Sequence, residues 1–260
     1  MPETPRPWTR FVAVGDSFTE GLMDELGPDG RHRGWADRVA DELAARVPHL
    51  EYANLAIRGR LVAQVTAEQV PLAVQLRPDL VSFAAGINDA LRRGYDLGAA
   101  CTAVERGVRA LREAGADVLL VAFGDPARRS PLMGLVRDRI RSYDQGIRAI
   151  ASHYGCFLVD FWDVAAFDED RYWDADRLHL SPAGHDLAAR AALEALGLGS
   201  DAWRTPQPLS RPRRTERAIA NAQWARAHLG PWIVRRMQGR SSGDAIEPKA
   251  PSLVRWPQGS

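Results

Sequence analysis

Cysteine is scarce: two residues, Cys101 and Cys156, in a chain of 260. That excludes a disulfide framework, and neither sits at a metal-ligand spacing, so both are expected as free thiols. Long apolar runs are missing too. Nothing approaches the ~18 consecutive apolar residues of a spanning helix. The apolar segment after MPETPRPWTR is too short for the h-region of a signal peptide. The expectation is a cytoplasmic protein with no membrane span. An overall charge bias is lacking, the net charge being +1, and no nucleic acid partner is expected. The charge is nonetheless uneven. From Pro206 onward ten Lys or Arg face three acids, whereas residues 1–205 carry 24 basic and 30 acidic residues. Length allows one large domain plus an extension, and the charge asymmetry divides the chain into 1–205 and a basic 206–260.

What is present is an alternation of strand and helix signals. Phe11 to Val14 is an apolar run ended by Gly15. Trp35–Val47 has a helical apolar face, Tyr52–Leu55 is strand-like, Leu61–Leu76 helical and Asp79–Ala85 strand-like. Leu97–Ala114 is a helix with Gly115 at its end, and Asp117–Phe123 is the most apolar strand. A long helix, Leu132–Tyr154, precedes the strand Cys156–Phe161, and Ser181-Pro182 opens a closing helix to Leu196. Near-continuous apolar strands separated by helices predict a five-stranded parallel sheet covered on both faces. Ligands of such sheets bind beyond the carboxyl ends of the strands. Ser17, Gly59 and Asn88 each follow a strand, and so fall on one rim.

Ser17 has two readings. Ser17-Phe18-Thr19-Glu20 fits an S-x-x-E capping box, and the same hydroxyl, at a helix N-terminus, is placed for nucleophilic attack. Serine hydrolysis also needs a base, an acid to orient it and donors for the oxyanion. Asp176-Arg177-Leu178-His179 supplies acid and base three residues apart. Ser17 N–H, the unobstructed N–H of Gly59 and the amide of Asn88 supply three donors, each worth ~3–4 kcal/mol where such holes have been dissected.

Gly15-Asp16-Ser17, Gly59, Gly86-x-Asn88-Asp89 and Asp176-x-x-His179 occur in the order and at the intervals that resemble the SGNH hydrolases, also called the GDSL family, over about residues 10–196. The resemblance implies a flavodoxin-like three-layer α/β/α sandwich and ester or thioester hydrolysis without cofactor or metal. By the same resemblance Ser17 is nucleophile, His179 base and Asp176 its partner, with Ser17, Gly59 and Asn88 forming the oxyanion hole. The sequence reads GDSF where the family name has GDSL, so Phe18 alters the pocket wall beside the nucleophile. Asp174 competes with Asp176, and spacing favours Asp176. Asp16 and Asp89 read as acceptors for loop N–H groups.

Specificity is expected in Leu22–Gly34, Leu91–Asp96, Asp125–Pro131 and Trp162–Trp173, with Phe18, Trp162 and Trp173 as candidate substrate contacts. Arg128-Arg129 reads as a solvated pair, with an anionic substrate as its sharper alternative. A small-molecule acyl ester is the implied partner. The rival functions are a metal-dependent phosphoesterase on Asp16, Asn88, Asp89 and His179, and a silent binding module on the same fold. Gly239-Arg240-Ser241-Ser242-Gly243 spells G-x-S-x-G but has no strand before it, so it is no nucleophile elbow. His185, though near His179, reads as a helix residue. The extension reads as a linker, one or two helices and an extended tail, docked on the acidic body through Ile219, Trp224, Trp232 and Ile233.

Overall fold

The computed structural model describes residues 7–128, 133–205, 243 and 246–257. Strand β1 (Arg10–Gly15) is the strand around which the rest is laid, because Phe11, Val12, Ala13 and Val14 are wholly buried. A strand apolar on both faces must be covered on both. β1 pairs in parallel with β2 (Glu51–Asn54) on one side and β3 (Leu80–Ala84) on the other. β4 (Asp117–Ala122) and β5 (Phe157–Asp160) extend the parallel run beyond β3. Helices α2 (Trp35–Arg46) and α8 (Pro182–Ala195) pack on each other as one covering layer. α6 (Leu97–Glu113) and α7 (Arg137–Tyr154) pair in the other. The sheet order is β5-β4-β3-β1-β2-β6, so the connections leaving β1 and β2 run in opposite directions across the sheet. The crevice at the carboxyl ends of β1 and β3 is the place where such sheets hold ligands.

Three local departures from the sequence pattern have physical causes. The segment expected as one helix over Leu61–Leu76 is α3 (Val62–Gln64), a π-helical turn Val65–Gln69 and α4 (Val70–Gln75). Pro71, which cannot donate to the ladder and crowds the preceding turn, lies just past the widened stretch. The helix expected from Leu132 begins at Arg137, after a 3₁₀ turn over Met133–Val136. The third departure is a sixth strand.

β6 (Ala250–Arg255) joins the edge of the sheet antiparallel to β2, from residues that read as extended tail. It is pinned at both ends. Lys249, the only lysine in the chain, puts Nζ 2.6 Å from Asp37 Oδ2 and donates to the carbonyls of His32 and Arg33. Trp256 donates from Nε1 to Asp41 and sets its ring edge-on to Tyr52, 4.9 Å between centroids. Ile219, Trp224, Trp232 and Ile233, the expected docking residues, lie outside the described residues. No helix among the described residues is long and apolar enough to cross a membrane.

Candidate active site

Ser17 is the first residue of α1 (Ser17–Glu20), two residues beyond β1. The cap of this helix is Asp16, whose side chain accepts from Phe18 N–H at 3.1 Å, and not Ser17. Asp16 thus frees the Ser17 hydroxyl from the capping role that the S-x-x-E pattern offered it. Glu20 turns away as well, and its buried carboxylate accepts from Arg58 N–H at 2.7 Å and from the Arg58 guanidinium. The approach to Ser17 is fixed from below. Gln69, rotated inward by the π turn, accepts from Gly15 N–H at 2.8 Å and donates to Gly15 C=O at 2.9 Å. A Cβ at Gly15 would overlap the Ala84 carbonyl, so β1 and β3 approach this closely only with glycine there.

His179 reaches Ser17 across 162 positions of sequence, with Nε2 3.1 Å from Oγ. Its Nδ1 lies 2.6 Å from Asp176 Oδ2, and the other Asp176 oxygen accepts from Leu178 N–H and His179 N–H, both at 2.9 Å. Burial pushes the Asp176 carboxyl up, but His179 and the two N–H donors outweigh it and hold it at about 2. An ionised carboxylate only accepts, so Nδ1 carries the proton and Nε2 is left to accept from the Ser17 hydroxyl. Asp174 supports the turn instead: its side chain accepts from Asp176 N–H, its N–H donates to the His179 carbonyl, and its own carbonyl accepts from Arg177 N–H. Arg177 takes a positive φ of 55° to close that turn.

Asn88 lies in α5 (Ile87–Ala90), directly after β3. Its amide donates to Asp16 Oδ2 at 3.1 Å and to the Arg60 carbonyl at 3.3 Å, which brings it against the residue before Ser17. Asp89 accepts from Val62 N–H at 3.0 Å. Burial and the nearby Asp89 charge raise the Asp16 carboxyl, against the pull of Phe18 N–H, His179 and Asn88, to about 7. Gly59 stands in the turn after β2 with φ 77°, a conformation that favours glycine. Neither Ser17 N–H nor Gly59 N–H has an acceptor among the described residues. Those residues contain no cluster of three or more His, Cys, Asp or Glu side chains arranged to hold a metal ion.

The model of the GDSL-like lipase/acylhydrolase family matches residues 13–187, a span that contains Ser17, Asn88, Asp176 and His179. The chain belongs to that family. It is an SGNH-type esterase, and the solved structures similar to it have the same fold. LAE5, an alpha/beta hydrolase enzyme from the metagenome of Lake Arreo, Spain, is 25% identical, with a TM-score of 0.61 over 74% of this chain and 97% of its own. Axe2, an acetylxylan esterase from Geobacillus stearothermophilus, is 22% identical, with a TM-score of 0.59 over 74% of this chain and 96% of its own. A tryptophan-to-isoleucine variant of Axe2 gives 24% and 0.60, over 74% and 95%. No curated protein matches the sequence.

Beside Ser17 and His179 this GDSL-family enzyme has a cavity of about 170 Å³. Phe18, Trp162 and Trp173 all line it. Phe18 packs on Trp35 and Phe123, Trp162 lies under the guanidinium groups of Arg137 and Arg141, and Trp173 donates from Nε1 to the Phe167 carbonyl. Of the loop Leu22–Gly34 only Leu22 reaches the cavity. Beyond it the loop is anchored to α2 by the buried Asp24, which accepts from Gly34 N–H and the Arg38 guanidinium, and its tip over residues 28–31 is exposed. Tyr172 packs against Phe167 from behind. Arg128 makes a two-pronged ion pair with Asp168, so this arginine is already paired across the cavity wall; Arg129 lies outside the described residues.

Ile140 comes from α7 to floor the cavity, with nothing in the sequence to mark it, and His185 is the helix residue expected, set against the same cavity. His185 is fully buried, accepts from Trp35 N–H at Nδ1 and donates from Nε2 to the Leu22 carbonyl. Burial lowers it to about 4, so it is a neutral strut behind the pocket. Its position on the inner face of α8 was the available signal.

Proposed function

We propose that the protein hydrolyses carboxylic esters through an acyl-enzyme on Ser17. His179 Nε2 takes the Ser17 proton as Oγ attacks the ester carbonyl. Asp176 keeps the imidazole in the required tautomer and stabilises the imidazolium. The oxyanion that develops faces Ser17 N–H, Gly59 N–H and the Asn88 amide, the last after exchanging its bond to Arg60 or Asp16 for the substrate. Collapse returns the proton from His179 to the leaving alcohol. A water then enters on the same side and gives a proton to His179 as its oxygen attacks the acyl carbonyl. Collapse breaks the bond to Ser17 Oγ, which takes the proton back from His179 as the acid leaves.

The observation that carries this reading is the hydrogen-bonded series Ser17 Oγ, His179, Asp176, in which His179 comes to Ser17 from 162 positions along the chain. We assign the apolar cavity walled by Phe18, Trp162 and Trp173 to the acyl group. The alcohol must leave and water must arrive while the acyl group stays bound to Ser17. The group that leaves first therefore belongs on the open side under His179, and the group that stays belongs in the enclosed side. Mass spectrometry after fluorophosphonate treatment tests the nucleophile. One adduct is expected on the peptide bearing Ser17, none on Ser17→Ala, and ester turnover by that variant should fall by about 10⁴-fold or more. An adduct elsewhere, or turnover by Ser17→Ala near that of the natural chain, would sink the reading.

A further inference from the structure

The peptide unit that joins Arg58 to Gly59 is held on its carbonyl side and through the peptide before it. Its N–H is that of Gly59. Its carbonyl, that of Arg58, is backed by Gly243, where a Cβ would overlap the carbonyl oxygen and press on Ile57. Gly243 is the last residue of the G-x-S-x-G run, in the part of the chain beyond the family match at 187. On the preceding peptide, Glu20 accepts from Arg58 N–H at 2.7 Å, and its carboxylate also takes the Arg58 guanidinium, with Nε 2.8 Å from Oε1. Glu20 is nearly buried and sits one helical turn beyond Ser17.

A trans peptide is planar, with C=O and N–H pointing in opposite directions. Fixing the direction of the Arg58 carbonyl therefore fixes the direction of Gly59 N–H. From this geometry we infer that Gly243 and Glu20 are positioning residues for the Gly59 donor: Gly243 by backing the carbonyl with bare backbone, Glu20 by locking Arg58 to the helix that carries Ser17. The inference rests on reading Gly59 N–H as an oxyanion donor. It makes the C-terminal extension part of the catalytic apparatus, through a residue that touches no substrate. The missing side chain at Gly243 is the functional property. Any Cβ would turn the peptide and swing Gly59 N–H away from the point that Ser17 N–H also addresses.

The test uses the full chain with three substitutions: Gly243→Ala, Glu20→Gln and Trp256→Phe. An oxyanion donor acts on the transition state and little on the ground state. In Gly243→Ala, kcat on a p-nitrophenyl ester should fall at least about tenfold, with KM moving less than about twofold. Affinity for a trifluoromethyl ketone, whose adduct carries the oxyanion, should weaken by the same factor as kcat/KM. Glu20→Gln keeps an acceptor for Arg58 N–H but loses the charged grip, and should show the same pattern. Trp256→Phe removes the bond to Asp41 at the far end of β6, and should lower Tm with kcat within about twofold of the natural chain.

A Gly243→Ala protein with kcat and ketone affinity within twofold of the natural chain overturns the inference. So does a loss carried by KM alone. Should Gly243→Ala fail to fold, the Glu20→Gln result decides by the same criteria. Turnover that survives Ser17→Ala would remove the underlying reading together with the inference. Turnover that needs Ser17 but ignores Gly243 and Glu20 would remove the inference alone.

Discussion

Asp176 shows how one carboxylate can set the protonation pattern of a whole site. One of its oxygens is committed to Leu178 N–H and His179 N–H, leaving the other for the imidazole. In Asp176→Asn the amide oxygen must take the side facing those two N–H donors, which turns the NH2 toward Nδ1. That geometry forces the proton onto Nε2, where it can no longer accept from Ser17. The expected result is a drop in kcat of about 10⁴-fold with the fold intact, as a wrong tautomer produces elsewhere; an assay of ester turnover beside a melting curve checks it. Asp176 and His179 were legible because a three-residue turn is a local object. Glu20, Arg58, Gln69 and His185 were not. Each reads as an ordinary helix or loop residue until a partner tens to more than a hundred positions away is known.

At the scale of elements, two loops build the wall of the pocket beside Phe18 and Ile140. The one after β4 supplies Asp125, Pro126 and Arg128, and the one after β5 supplies Trp162, Val164, Phe167, Asp168 and Trp173, with Arg128 and Asp168 tying them together. An apolar cavity of roughly 150 Å³ is enough for benzene, a six-carbon body, and the space beside Ser17 is about 170 Å³. Each buried methylene contributes about 0.8 kcal/mol, or roughly fourfold in rate constant. Across p-nitrophenyl esters, kcat/KM should therefore climb about fourfold per methylene from acetyl to hexanoyl and then level off. A profile flat from acetyl onward would show that acyl groups do not enter the cavity. The five parallel strands were legible as apolar runs because both of their faces are covered. β6 was not, because APSLVR carries a proline and a serine and keeps much of its surface in solvent, as an antiparallel edge strand can.

Across the whole molecule, buried acids set the response to pH. Asp144 is fully buried, accepts from Phe123 N–H through one oxygen, and has no partner for the other among the described residues. Burial, with a smaller push from Asp160 and against the pull of Phe123 N–H and Arg148, raises it to about 8, and Asp16 stands at about 7. Unfolded, both would titrate near 3.9. Between about pH 4 and those raised values the folded chain holds protons that the unfolded chain has released, so stability falls as pH rises through this window. Asp176 and His185 act in the opposite sense. Asp176, at about 2, gives stability that is lost as pH drops from about 4 to 2. His185, at about 4, takes stability away as pH drops from about 6.5 to 4, by less than the two raised acids change it between pH 5 and 8. Thermal melts should therefore give a higher Tm at pH 5 than at pH 8, with Asp144→Asn flattening the difference. A Tm that climbs steadily from pH 5 to 8 would contradict the account.

The lone lysine adds a practical handle. Lys249 Nζ is occupied by one carboxylate and two carbonyls for as long as β6 lies along β2, and no other side chain in the sequence carries a primary amine. Acylating reagents aimed at amino groups will spare it in the seated state and modify it once the strand peels off. The extent of labelling at that single position then counts the molecules whose sheet edge has opened.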